Sequence, residues 1–244
     1  MLPLKDDAPR ITTPYITYFL LVSNILIFIF ELTIQSTGQL NAFLMQFGIV
    51  PAKITILLER GGAVPHALVS QFGMRYITWA DVLVPIITSM FLHGGWGHVI
   101  SNMWALWIFG DNVEDHLGHG LYLLFYLLSG IAGAVVHILF NLGSTLPTVG
   151  ASGAIAGIMG AYFVLFPSAR VLTFLFVIVV WLPAWIFVGY WFLVQFLSGA
   201  AMAISATSNS GGVAVWAHVG GFLSGIALIK LFPSRPRRYR YYGL

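Results

Sequence analysis

The chain has 244 residues, of which 59% are apolar and only 8% charged, with a formal net charge of +3 and no cysteine. Soluble domains average about 25% charged residues, so the composition excludes an ordinary water-soluble globule and points to a lipid-embedded one. The missing cysteines exclude disulfides and thiolate-held metals as sources of stability.

The few charges bound four charge-free tracts: residues 11–30, 82–110, 116–169 and 171–229, of 20, 29, 54 and 59 residues. One crossing takes about 20 apolar residues, so the first two tracts each hold one helix and the last two each hold two. Six crossings are expected.

In chain order, residues 1–10 form a short polar segment before a first helix over about 15–34. That helix is read as an anchor and not as a cleaved signal, because Asp6 and Asp7 flank it and no small-x-small cleavage site follows. Residues 35–81 are too polar to span. Their apolar positions, among them Phe43, Phe47, Ile54, Leu57 and Leu58, suggest short helices lying in the interface. Helices follow over about 97–114, 121–142 and 151–166, the last ended by Pro167. The β-branched stretch 171–181 reads as interfacial, and two more helices cover about 184–199 and 213–231.

An even number of crossings puts both termini on one side. That side then collects Lys5, Arg10, Arg170, Lys230 and the tail residues Arg235, Arg237, Arg238 and Arg240, against Lys53, Arg60 and Arg75 on the other. Eight against three places both termini in the cytoplasm by the positive-inside rule. The basic tail, 233–244, suits an anionic lipid leaflet better than nucleic acid. The expected fold is an all-α polytopic membrane protein of the cell (plasma) membrane. It is a six-helix bundle over 11–232 with a long membrane-associated loop between the first two helices.

The fourth helix, over 151–166, is short. Sixteen residues reach about 24 Å, less than the roughly 30 Å hydrocarbon core. The segment before it, NLGSTLPTVG at 141–150, therefore dips into the membrane as irregular backbone. Such backbone is tolerated only where protein shields it or water reaches it. By the same topology Ser152 near the start of this helix, His218 near the start of the last, and His98 and Asn102 on one face of the second lie at one depth. Intramembrane polar groups are costly and usually face a bundle interior or a cavity. The bland alternatives are local: a membrane serine can bond back to a carbonyl one turn earlier, and Asn102 can be interhelical glue. His137 reads as a satisfied interior hydrogen bonder, and His66 and His119 as solvated or interfacial. Gly153, Gly157 and Gly160 on one helix, with Gly221 and Gly225 on another, suit close packing in either case.

The segments GASG at 150–153, AHVGG at 217–221 and HGGWGHVISN at 93–102 resemble the signatures of rhomboid intramembrane serine proteases. Gly110, Glu114 and Gly118 are similar to the G-x-x-x-E-x-x-x-G pattern at the inner end of the family's second helix. The resemblance covers about 90–230. It implies that Ser152 is the nucleophile and His218 the general base, without an aspartate. His98, Asn102 and the backbone N–H groups of Ser152 and Ala151 would be the oxyanion donors. It implies no metal and no cofactor. The substrates would be transmembrane segments of other membrane proteins, admitted from the bilayer near the second and fifth helices, where Trp185, Trp191 and Phe192 could shape the passage. Two positions depart from the pattern: His116 stands where arginine is common, and Ala156 where some members stack an aromatic ring on the histidine.

Two other function classes compete. A catalytically inactive rhomboid-like protein would bind membrane helices without cutting them, and would be expected to lack the serine or the histidine. A transporter would line its path with polar residues through the full depth, whereas the inner half here offers little beyond Glu114 and His116.

Overall fold

The computed structural model describes residues 1–204 and 214–235. Arg237, Arg238 and Arg240 of the basic tail and residue 213, the first expected of the last helix, lie outside them. Among the described residues are ten α-helices: α1 (Tyr15–Ser36), α2 (Leu40–Phe47), α3 (Pro51–Arg60), α4 (His66–Phe72), α5 (Ala80–Thr88), α6 (Trp96–Leu117), α7 (His119–Phe140), α8 (Ser152–Leu165), α9 (Ala184–Ile204) and α10 (Val215–Leu231).

The chain is mostly helical but not purely so. Strands β1 (Leu2–Asp6), β2 (Arg170–Leu175) and β3 (Ile178–Pro183) form an antiparallel sheet in the order β1-β2-β3. The stretch expected to lie flat at the interface is thus a hairpin, with Val171 opposite Leu182 and Leu175 opposite Ile178. The N-terminal segment is its third strand, pairing Leu2 with Phe174 and Asp6 with Val171. β-Branched residues favour this pleated arrangement over helix.

By length and composition α1, α7 and α9 can each cross a bilayer, and a fourth crossing is added if α5 and α6, bent by 75°, count as one broken span. α8 and α10 are apolar but shorter. These are the helices of a multi-pass membrane protein.

The bundle centres on α8. It packs on α7 and α10 along a seam rich in glycine. A Cβ on Gly221 would fall on the Gly153 carbonyl oxygen, one on Gly225 on the Gly157 carbonyl, and one on Gly160 on the Phe222 carbonyl. Backbone therefore meets backbone, which larger residues forbid.

At the opposite end of α6, the fully buried Glu114 joins three helices. Its carboxylate accepts the N–H groups of Ile16 and Thr17 at 2.9 and 2.8 Å and lies 2.6 Å from His119 Nδ1. The first N–H groups of a helix have no intrahelical partner, so Glu114 caps α1 from a distance.

The connection between α1 and α6 has a small core of its own, with Met45, Val50, Ile56, Phe72 and Ile77. It also covers the irregular segment before α8. Ile49 and Thr148 exchange backbone hydrogen bonds at 2.9 and 2.7 Å, and Ala52 N–H donates to the Ser144 carbonyl at 2.9 Å. This loop therefore shields part of the irregular segment that precedes α8.

Candidate active site

α8 begins at Ser152, so the serine stands at a helix N-terminus, where first-turn N–H groups lack intrahelical acceptors and the dipole favours negative charge. The turn before it depends on Gly150. Its φ of 132° suits glycine, and a Cβ there would lie 2.7 Å from the His98 ring and 3.5 Å from Ser152 Oγ. The missing side chain leaves the serine open to the histidine of another helix.

His218 comes from α10, across the glycine seam. Its Nε2 lies 2.7 Å from Ser152 Oγ, so the serine does not bond back to its own helix. His218 Nδ1 lies 3.0 Å from Gln195 Oε1 on α9. An amide oxygen can only accept, so Nδ1 carries the hydrogen and Nε2 offers its lone pair to the serine. Trp191, one turn before Gln195, sets its ring 5.8 Å from the imidazole, tilted by 35°. The aromatic partner that Ala156 cannot provide thus comes from a different helix.

His98 and Asn102 share one face of α6 and, with Ser152 and His218, line a cavity of about 660 Å³. The Gly94 N–H donates to His98 Nδ1 at 3.4 Å, which leaves Nε2 as the hydrogen-bearing nitrogen. Asn102 is buried, and its amide nitrogen has no hydrogen-bond partner. Buried donors are normally paired, so an idle one on a residue that lines the cavity stands out. Ala151 is fully buried at the foot of the same turn. Ser152, His218, His98 and Asn102, singled out from the sequence, thus line one space, and Ala151 is buried beside Ser152 without lining it.

His137 also lines the cavity but is engaged, with Nε2 2.9 Å from Thr148 Oγ1 and the Asn141 amide bonded to its carbonyl at 2.8 Å. His66 is exposed, and His119 is half-exposed on Glu114. Of the aromatics expected near the passage, Trp191 lines the cavity, Phe192 stacks on Phe222 at 4.4 Å, and Trp185 is exposed. Gln195 was missed. A single amide in an apolar helix carries no periodic or motif signal that would mark it.

A groove of about 470 Å³ lies between α6 and α9, lined also by Met1–Pro3. Gly97, Ser101, Ala105, Met159 and Trp191 line both groove and cavity, so the two spaces adjoin.

Residues 80–235 match the Rhomboid domain, well over half of the chain. The chain belongs to the rhomboid family. It is similar to the rhomboid protease GluP of Bacillus subtilis, 32% identical over 238 residues, covering 92% of this chain and 38% of that protein. It is also similar to the mitochondrial rhomboid protein 1 of Saccharomyces cerevisiae, 34% identical over 148 residues, or 59% of this chain and 40% of the other. RHOMBOID-like protein 1 of Arabidopsis thaliana is 27% identical over 251 residues, 94% of this chain and 56% of its own length. The chain thus spans about two fifths to a little over half of these relatives. They come from a bacterium, a mitochondrion and a plant, so they lend no support to the expected plasma membrane over any other.

Proposed function

We propose that this rhomboid-family chain is an intramembrane serine endopeptidase that hydrolyses peptide bonds in or near transmembrane segments of other membrane proteins. The observation that carries the reading is the 2.7 Å approach of His218 Nε2 to Ser152 Oγ, inside a cavity that adjoins an apolar groove. A free serine hydroxyl is a weak nucleophile, and an imidazole lone pair at hydrogen-bond distance is the standard means of activating it.

As Ser152 Oγ bonds to the scissile carbonyl carbon, its proton passes to His218 Nε2. The carbonyl oxygen becomes an oxyanion facing Asn102 Nδ2, His98 Nε2–H and the N–H groups of Ser152 and Ala151. Preorganised donors in a water-poor site are worth far more than the same donors in water. His218 then returns its proton to the leaving amine, and the Ser152 ester remains. A water then gives its proton to the same nitrogen and bonds to the ester carbon, and His218 returns that proton to Ser152 Oγ as the C–Oγ bond breaks. The 660 Å³ cavity has room for this water.

In this reading the bundle 11–232 crosses the bilayer six times with both termini cytoplasmic, α8 and α10 being short because the cavity lowers the level at which they start. The α6–α9 groove admits the substrate helix from the lipid side. The test is cleavage of a transmembrane substrate in liposomes, together with labelling by a fluorophosphonate. The parent should cleave and label at Ser152. Ser152→Ala and His218→Ala should each abolish cleavage while keeping the parent's melting temperature. Cleavage that persists in Ser152→Ala sinks the proposal.

A further inference from the structure

A neutral imidazole carries its hydrogen on one nitrogen only. If that nitrogen is Nε2, His218 meets the Ser152 hydroxyl as a donor and cannot take its proton. Among the residues lining the cavity there is no carboxylate to decide the matter. Gln195 Oε1, 3.0 Å from Nδ1, is the acceptor present. We propose that Gln195 is the positioning residue that holds His218 in its base-competent tautomer, and that it does so only while α9 is seated against α10. The inference rests on the Ser152–His218 reading.

Two contacts from one face of α9 meet His218. Trp191 and Gln195 are four residues apart and so lie one above the other on the helix. The rest of α9 is less buried than the other long helices. Over the apolar stretch of each helix, 17% of α9 is buried, against 33% of α1 and 44% of α7. Tyr190, Leu193, Val194, Phe196 and Leu197 on its other faces are all exposed. The Ser152–His218 pair, by contrast, is fixed by the Gly153–Gly221 contact between α8 and α10, in which α9 takes no part.

The two hydrogen bonds of the imidazole therefore answer to different helices. A displacement of α9 that widened the groove would stretch the Gln195 contact and leave the Ser152 distance almost unchanged. His218 would then lose its tautomeric preference while the groove is open, and regain it as α9 closes. Full basicity would come only with the substrate enclosed.

The groups facing His218 are Ser152 from α8, Trp191 and Gln195 from α9, and the histidines His98 of α6 and His137 of α7. Replacing the neutral amide by an acceptor that carries charge therefore introduces the first anion at the site. The experiment compares Gln195→Ala and Gln195→Glu in the full chain reconstituted in liposomes, reading kcat, KM, the pH profile and the rate of fluorophosphonate labelling.

Loss of one orienting hydrogen bond should lower kcat and the labelling rate of Gln195→Ala by about tenfold, with KM altered less than about twofold. Gln195→Glu should restore kcat and move the acid limb of the profile up by about one pH unit, since a neighbouring carboxylate favours the imidazolium. Trp191→Ala loosens α9, so its effect and that of Gln195→Ala should combine less than additively. Unchanged kcat and labelling in Gln195→Ala would overturn the positioning role, as would an unmoved acid limb in Gln195→Glu. Strict additivity with Trp191→Ala would overturn the dependence on α9. Failure of the underlying dyad is a separate result, cleavage surviving in Ser152→Ala.

Discussion

Gly221 of α10 lies against the carbonyl of Gly153 of α8, with no room for a Cβ between them. Each glycine is within three residues of a member of the Ser152–His218 pair, so the backbone contact sets the hydrogen bond's length. Gly221→Ala should push the helices apart at a cost of about 1–3 kcal/mol, as overpacking does. Labelling of Ser152 by a fluorophosphonate should then fall by at least about tenfold. Gly120→Ala is the control: a Cβ there meets nothing within 4 Å, so labelling and melting temperature should hold.

Gly150 makes a different demand. An alanine there would face a backbone conformation that L-residues rarely adopt, and would crowd the His98 ring. Strain of this kind costs of order 1–3 kcal/mol. Gly150→Ala should lower both turnover and the melting temperature. A variant with normal turnover would show that the His98–Ser152 spacing is not critical.

How far the site was legible depends on how local its signals are. Ser152, His218, His98 and Asn102 each stand beside glycines or one helical turn from another polar residue, and the four line one cavity. Gln195 has no such neighbour in sequence, and only the seating of α9 on α10 reveals its role. β1 was hidden for a similar reason. LPLKD carries a proline and two charges, and its partner strand starts at Arg170, so its pairing is wholly non-local. α5 carries Pro85 inside it, where proline ordinarily breaks a helix, so local sequence argues against it. The loop's role in covering residues 144–148 is likewise tertiary, since Ile49 and Thr148 are far apart in sequence.

Asp6 links the sheet to the bundle and makes stability depend on pH. Burial pushes its carboxyl up from 3.8 to about 6; the Tyr162 hydroxyl, which donates to it at 2.5 Å, opposes this, and Asp111 adds to it. A carboxyl whose folded pKa is raised binds more protons folded than unfolded. Its contribution is therefore complete below about pH 4 and is lost as pH rises through about 6. Asp6→Asn keeps an acceptor for Tyr162 and removes the titration. Subtracting the variant's melting curve from the parent's should give a difference that moves against the parent between about pH 4 and 7. A flat difference would mean that Asp6 titrates alike in both states.

Asn102 offers the sharpest separation of catalysis from packing. Its buried amide nitrogen has no acceptor, so the folded protein gains no hydrogen bond from that donor. A structural asparagine would behave otherwise: interhelical hydrogen bonds in membrane proteins are worth about 0.6–2 kcal/mol, and deleting one lowers the melting temperature. A donor kept idle for a transition-state oxyanion instead contributes roughly 2.7–4 kcal/mol to the reaction, or about 10²–10³ in turnover. Asn102→Ala should therefore lower kcat by that factor, leave KM nearly unchanged, and melt at or slightly above the parent's temperature. Asn102→Asp tests the sign of the charge, since an acceptor in place of the donor would repel the oxyanion and should be at least as damaging. If Asn102→Ala melts early and keeps most of its turnover, the residue is glue between helices, and the oxyanion must be held by His98 and the α8 N-terminus alone.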